Sequence, residues 1–207
     1  MGKPYRLYLF DVDGTLTDSA EDICGAVGVI LDRHGYPPQP FGLLRSYIGR
    51  HLTDLFVDVI PGISNEGVER LIADYREVYW AREHNSTKLF PGVSEAVSRL
   101  GGLKSTATTK GTPTTRVVLE KFGLLPYFDH VQGTDGFPAK PSPEVIHKSL
   151  ELFGVDPRDA LMIGDAPADI AAARAAGVTV CAVSYGYGNP TEMEPDFWIN
   201  DLCELLG

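Results

Sequence analysis

Asp11 and Asp13 stand one residue apart at the end of an apolar run, "YLFDVDGT", with Gly14 and Thr15 directly behind them. In an extended segment residues i and i+2 point the same way, so both carboxyls can face one site. Acids are depleted in strands and costly to bury, so a packing role does not account for the pair. Three other stretches carry groups of matching chemistry. "TATTK" (106–110) leaves a hydroxyl, that of Thr108 or Thr109, at a strand end, with backbone N–H groups beyond it, as donors for phosphate oxygens. "KPSP" (140–143) puts Lys140 just ahead of a helix start, where an anion is already favoured. "IGDAPAD" (163–169) ends a strand on Asp165 and sets Asp169 four residues on, within the first helical turn. That many carboxylates in one crevice would push protons back onto each other. A hard divalent cation such as Mg²⁺ resolves this, because it takes oxygen ligands. Acid pair, cation, lysine and hydroxyl together make a phosphoryl-transfer site.

The elements that must position these groups follow from hydrophobic patterning. "RLYLF" (6–10), "LKSTAT" (103–108), "HVQG" (130–133), "ALMIG" (160–164) and "VTVCAV" (178–183) read as buried strands, and "FWIN" (197–200) as an edge strand. Helices separate them: Thr112 with Pro113, and Ser142 with Pro143, predict an N-cap followed by an N1 proline, and "DIAAARAAG" stops at Gly177. The alternation predicts an α/β fold with a doubly wound parallel sheet. In such a sheet ligands bind outside the carboxyl ends of the strands, so the four stretches should converge. Between Ser19 and Lys88 no strand is expected. That segment opens with Ser19 and Asp22 in a capping-box-like pair, and reads as an inserted helical lid. The predicted division is a core of 1–17 and 89–207 with a helical domain of 18–88.

Composition bounds the function. The 207 residues are 43% hydrophobic and 22% charged, enough apolar mass for a core. A formal net charge of −10 disfavours nucleic acid and anionic membrane as partners. "MGKPYRLYLF" is too short and too soon charged for a secretory leader, and Arg6 stands where a myristoylation signal has Ser or Thr. No apolar run reaches membrane-spanning length. Cys24, Cys181 and Cys203 show no metal or redox spacing and read as reduced thiols of a cytoplasmic protein. The five histidines share no spacing and read as structural.

"DVDGT", "TTK", "KPSP" and "GDAPAD", in this order, resemble motifs I to IV of the haloacid dehalogenase-like superfamily, and the insert after motif I resembles its helical C1 cap. The resemblance covers essentially the whole chain. It implies a Rossmann-like core and a Mg²⁺-dependent reaction. By it, Asp11 is the nucleophile that forms an aspartyl-phosphate, and Asp13 is general acid and then base. Thr108 and Lys140 grip the phosphoryl group, with Thr109 as a further substrate contact. Asp11, Asp165 and the backbone carbonyl of Asp13 hold the metal, and Asp169 supports it. Thr109 stands where many relatives have Asn, and Pro167 is unusual within motif IV.

Within the superfamily, Asp13 argues for an oxygen leaving group, since dehalogenases lack that acid. No lysine occurs between Lys3 and Lys88, which counts against the phosphonatase and phosphoglucomutase branches with their cap lysines. "FDVDGTLTDSAEDI", "RSYIGRHLTDLF" and "TKLFPGVSEAVSRL" are similar to phosphoglycolate phosphatases and their close relatives. Arg45 and Arg50, flanking "YIG", are the candidates for a substrate's second anionic group. The expectation is a phosphatase acting on a small phosphorylated metabolite, as monomer or homodimer. The alternatives are a pyrophosphatase, a sugar or nucleotide phosphatase, and, more remotely, a non-catalytic phospho-ligand binding protein.

Overall fold

Strands β1 (Leu7–Phe10), β4 (Leu103–Thr106), β5 (Ala160–Gly164), β6 (Thr179–Val183) and β7 (Phe197–Ile199) form one sheet, in the order β4-β1-β5-β6-β7, and every pairing is parallel. The computed structural model describes residues 4–207, so the first three residues of the expected core segment lie outside the described residues. Alternate residues of each strand face opposite sides. Tyr8, Phe10, Leu161, Ile163, Cys181 and Val183 belong to one apolar layer. Leu7, Leu9, Ala160, Met162, Val180 and Ala182 belong to the other. Both faces are covered, which is why the strands read as continuous apolar runs rather than as alternating ones.

The helices of this unit are α5 (Val93–Arg99), α6 (Thr112–Lys121), α7 (Glu144–Phe153) and α8 (Pro167–Ala175). The chain leaves and re-enters the unit through two-residue strands, β2 (Thr17–Asp18) and β3 (Lys88–Leu89). Cα packing divides the molecule into residues up to Asp18 with Leu89–Gly207, and a second unit, Ser19–Lys88. The second unit holds α1 (Ala20–Arg33), α2 (Phe41–Arg45), α3 (Leu52–Val59) and α4 (Asn65–Ala81). Among the described residues no helix is long and apolar enough to cross a membrane. The three cysteines are unpaired thiols.

Three local expectations give way to side-chain chemistry. "HVQG" is not a strand; its one ladder contact is a bridge between Ser105 and His130. Thr106 intercepts the backbone there, since its hydroxyl accepts from the Gln132 N–H at 2.8 Å and lies 3.0 Å from the Gln132 carbonyl. Ser19 holds the N-cap position of α1 but makes no side-chain capping bond, and Asp22 turns away to other donors described below. The helix starts also shift by one residue. Gly111 is the N-cap of α6, and Pro143 that of α7.

Candidate active site

The register brings the ends of β1, β4 and β5 level, since Phe10 lies beside both Thr106 and Ile163. Pairing continues one step beyond the strands. The Asp11 N–H donates to the Ile163 carbonyl at 2.9 Å, and the Ala107 N–H to the Phe10 carbonyl at 2.7 Å. Asp11 therefore leaves the sheet between the two neighbours that carry Thr108 and Asp165. Gly14 then turns the chain at φ +94°, and a Cβ there would lie 2.2 Å from an oxygen of Asp165, so both the turn and the close approach require glycine.

Asp11, Asp165 and Asp169 are no more than 2% exposed, and each offers a carboxylate oxygen within 4.8 Å of the others. Lys140 is the cation set among them. Its ammonium donates to Asp11 Oδ1 at 2.8 Å and to Asp169 Oδ1 at 2.5 Å. The other oxygen of Asp169 accepts from the N–H groups of Asp165 and Ala166, at 3.0 and 2.9 Å. Ala166 occupies the N-cap of α8 without a side-chain acceptor, so Asp169 at the third helical position satisfies the N-cap N–H and the N–H just before it. Asp165 accepts from the Thr15 hydroxyl at 3.1 Å and from the Tyr187 N–H at 2.8 Å.

Burial pushes the Asp11 carboxyl up, and Lys140 only partly offsets it, leaving its pKa at about 6. Burial, with the fields of Asp11 and Asp169, lifts Asp165 well above the ordinary carboxylate range. The Lys140 pKa is also raised, which for an ammonium favours the charged form. Burial disfavours its charge, but the fields of Asp11 and Asp169 outweigh burial and raise it. One buried lysine does not balance this many carboxylates. The donor set is all oxygen, suited to a hard divalent cation.

Asp13 stands beside this cluster rather than in it: its Oδ2 pairs with the Lys110 ammonium at 3.0 Å. Thr108 is buried at the end of β4, where its hydroxyl accepts from the Lys110 N–H at 3.3 Å and its carbonyl accepts from the Thr134 hydroxyl at 2.9 Å. Thr109 is half-buried in the same loop. Arg45 and Arg50 belong to the helical unit, and Arg50 stacks over the Tyr47 ring at 5.1 Å from its centroid. The site also contains residues that patterning did not single out: Lys110, Thr15 and Tyr187. "TTK" held a visible signal for Lys110, a cation two residues past a candidate phosphate hydroxyl. Tyr187 contributes through its backbone, which no residue-type pattern reveals.

Residues 8–183 match the family model described as haloacid dehalogenase-like hydrolase. The chain belongs to this family. It is similar to phosphoglycolate phosphatase 1 of Pseudomonas aeruginosa, 35% identical over 97% of this chain and 78% of that protein. A phosphoglycolate phosphatase of Nitrosococcus oceani is 31% identical over 99% of this chain and 96% of its own length. Among solved structures, a haloacid dehalogenase-like family hydrolase from Streptococcus pneumoniae superposes with a TM-score of 0.88, at 26% identity, over 98% of this chain and 97% of that one. The chain is accordingly a haloacid dehalogenase-like hydrolase of phosphatase type, and its parallel α/β core is the fold of that family.

Proposed function

We propose that this chain is a Mg²⁺-dependent phosphomonoesterase that works through an aspartyl-phosphate on Asp11, with 2-phosphoglycolate as the first substrate to test. The observation that carries this reading is the buried cluster in which Lys140 bridges Asp11 and Asp169 beside Asp165. An Asp11 oxygen attacks phosphorus while the bond from phosphorus to the leaving oxygen breaks. Asp13 donates the proton that this oxygen needs to depart as an alcohol. Water then attacks the aspartyl-phosphate, Asp13 takes its proton, and the bond between phosphorus and Asp11 breaks to release phosphate. Lys140 and Thr108 hold the phosphoryl oxygens, with Thr109 as an adjoining contact. Asp11, Asp165 and the Asp13 carbonyl would hold Mg²⁺, which supplies charge neutralisation of the phosphoryl oxygens when bound. Asp169 supports the set by fixing Lys140 and the Asp165 backbone.

The helical unit, Ser19–Lys88, is the lid in this reading, and Arg45 and Arg50 bind the substrate's second anionic group. The names of the relatives support phosphoglycolate as the substrate. The test is phosphate release from a panel of 2-phosphoglycolate, pyrophosphate, sugar phosphates and nucleotides, with Mg²⁺ and with a chelator. The expected profile has 2-phosphoglycolate foremost and no release in chelator. A panel without any release, or one indifferent to the chelator, would overturn the reading.

A further inference from the structure

Beyond β6 the chain runs "SYGYGN", residues 184–189, around Asp165 rather than directly away from the sheet. The contact is close. A Cβ on Gly186 would lie 2.2 Å from Asp165 Cβ, and one on Gly188 would lie 2.0 Å from the Asp165 carbonyl oxygen. Only a glycine backbone can approach the carboxylate this nearly. Between the two glycines, the Tyr187 N–H donates to Asp165 Oδ2 at 2.8 Å. The Tyr187 phenol reaches in another direction and donates to Asp18 Oδ1 at 2.8 Å, on the strand that leads out of the core unit. Two further contacts tie the loop down. The Tyr185 hydroxyl donates to the Thr15 carbonyl at 2.9 Å, and the Phe90 ring packs on Tyr185 and Tyr187 with centroids 4.6 and 6.5 Å away. Thr15 itself donates to the other oxygen of Asp165. Both oxygens of this carboxylate are thus aimed by groups that this loop and the motif I turn hold together.

We propose that Tyr187 is a positioning residue for the divalent cation, its backbone N–H orienting Asp165 and its phenol, anchored on Asp18, fixing that N–H in place. Groups behind a ligand commonly govern metal affinity in this way, because they set the ligand's rotamer before the ion arrives. This rests on the cation reading above, but not on which phosphate ester is hydrolysed.

The experiment is calorimetric titration of MgCl₂ into the parent protein and into Tyr187→Phe, Asp18→Ala, the double variant and Gly186→Ala, with the metal-free melting temperature of each. Tyr187→Phe and Asp18→Ala are each expected to weaken Mg²⁺ by about three- to tenfold, the factor that one hydrogen bond carries. The double variant should lose no more than either single one, because both break one contact. Gly186→Ala should weaken Mg²⁺ by about tenfold or more, since its new Cβ displaces Asp165. Metal-free melting should stay within about 2 °C of the parent for Tyr187→Phe and Asp18→Ala, as expected for an exposed hydrogen bond. A parent that binds Mg²⁺ with variants of equal affinity would overturn this proposal alone, as would additive losses in the double variant. A parent that binds no Mg²⁺ would overturn it together with the cation reading. A parent that binds Mg²⁺ but hydrolyses nothing would leave the expected pattern in force and count only against the phosphatase reading.

Discussion

Lys140 touches Asp11 and Asp169 from one buried ammonium, so its removal leaves carboxylates facing each other without a protein cation between them. Asp11→Asn probes the same balance from the other side. Asparagine keeps the shape and loses the attacking charge, so turnover should fall by a factor of about 10³ or more, read as phosphate release. Stability should move differently. The folded pKa of Asp11, about 6, is above its ordinary value, so its favourable contribution exists below that ordinary value and is lost as pH rises through 6. In chelator at pH 7.5 the Asn variant should therefore melt no lower than the parent; a drop of several degrees would show that Asp11 stabilises the fold as a charge. Arg45→Ala tests recognition: it should raise KM for 2-phosphoglycolate more than for p-nitrophenyl phosphate, and equal effects would remove Arg45 from substrate binding. At this scale the sequence was informative about which side chains meet. Asp11, Lys140, Asp165 and Asp169 are all brought together. Asp13 was legible as an acid facing the site, but its pairing with Lys110 was not, because it depends on the loop after β4 folding back toward β1.

Among the elements, α1 shows how a tertiary partner overrides a local pattern. Asp22 has the spacing of a helix-capping acid, yet its carboxylate accepts from Arg82 Nε at 3.1 Å, the Ser86 N–H at 3.0 Å and the Thr87 hydroxyl at 2.7 Å. It thereby ties α1 to the turn that follows α4. Burial opposes its charge, but the hydrogen bonds from Thr87, Arg82 and Ser86 outweigh burial and hold the carboxyl below the ordinary range. Asp22→Ala strands three donors and should cost about 3 kcal/mol, or roughly 6–12 °C in melting temperature for a chain of this size. The folded pKa is depressed, so this stability is present above the ordinary carboxylate value and fades as pH falls through the folded one. The gap between parent and variant, followed by thermal melts from pH 7 downward, should close in acid. A gap that stays constant would mean the loss is one of packing and not of charge. The strand expected at 130–133 failed for a related reason: Thr106 answers Gln132 with its side chain, and no hydrophobic pattern registers that exchange.

For the whole molecule, strand–helix alternation made the parallel sheet legible, but not its order. That β1 lies between β4 and β5 depends on long-range pairing, and it is this order that places Asp11 between Thr108 and Asp165. The assembled cluster sits in a chain of net charge −10, whose field opposes an anionic substrate. A divalent cation held there would both relieve the cluster and offset that field locally, which would couple its binding to pH. Asp11, at about 6, and Asp165, lifted well above the ordinary range, must shed protons before their oxygens can serve as ligands. Without metal, the stability that Asp11 contributes is lost as pH rises through about 6, and that of Asp165 as pH rises through its own raised value, so the melting temperature in chelator should decline with rising pH on their account. With saturating Mg²⁺ the charged form is the one that binds, and the rise in melting temperature on adding MgCl₂ should be small at pH 5 and large at pH 7.5. Calorimetry near pH 6 in buffers of different ionisation enthalpy should register proton release on binding. Asp165→Asn removes one of the titrating ligands and should flatten the pH dependence. A Mg²⁺-induced shift equal at both ends of the range would place the ion away from Asp11 and Asp165, and with it the chemistry assigned to the carboxyl end of the sheet.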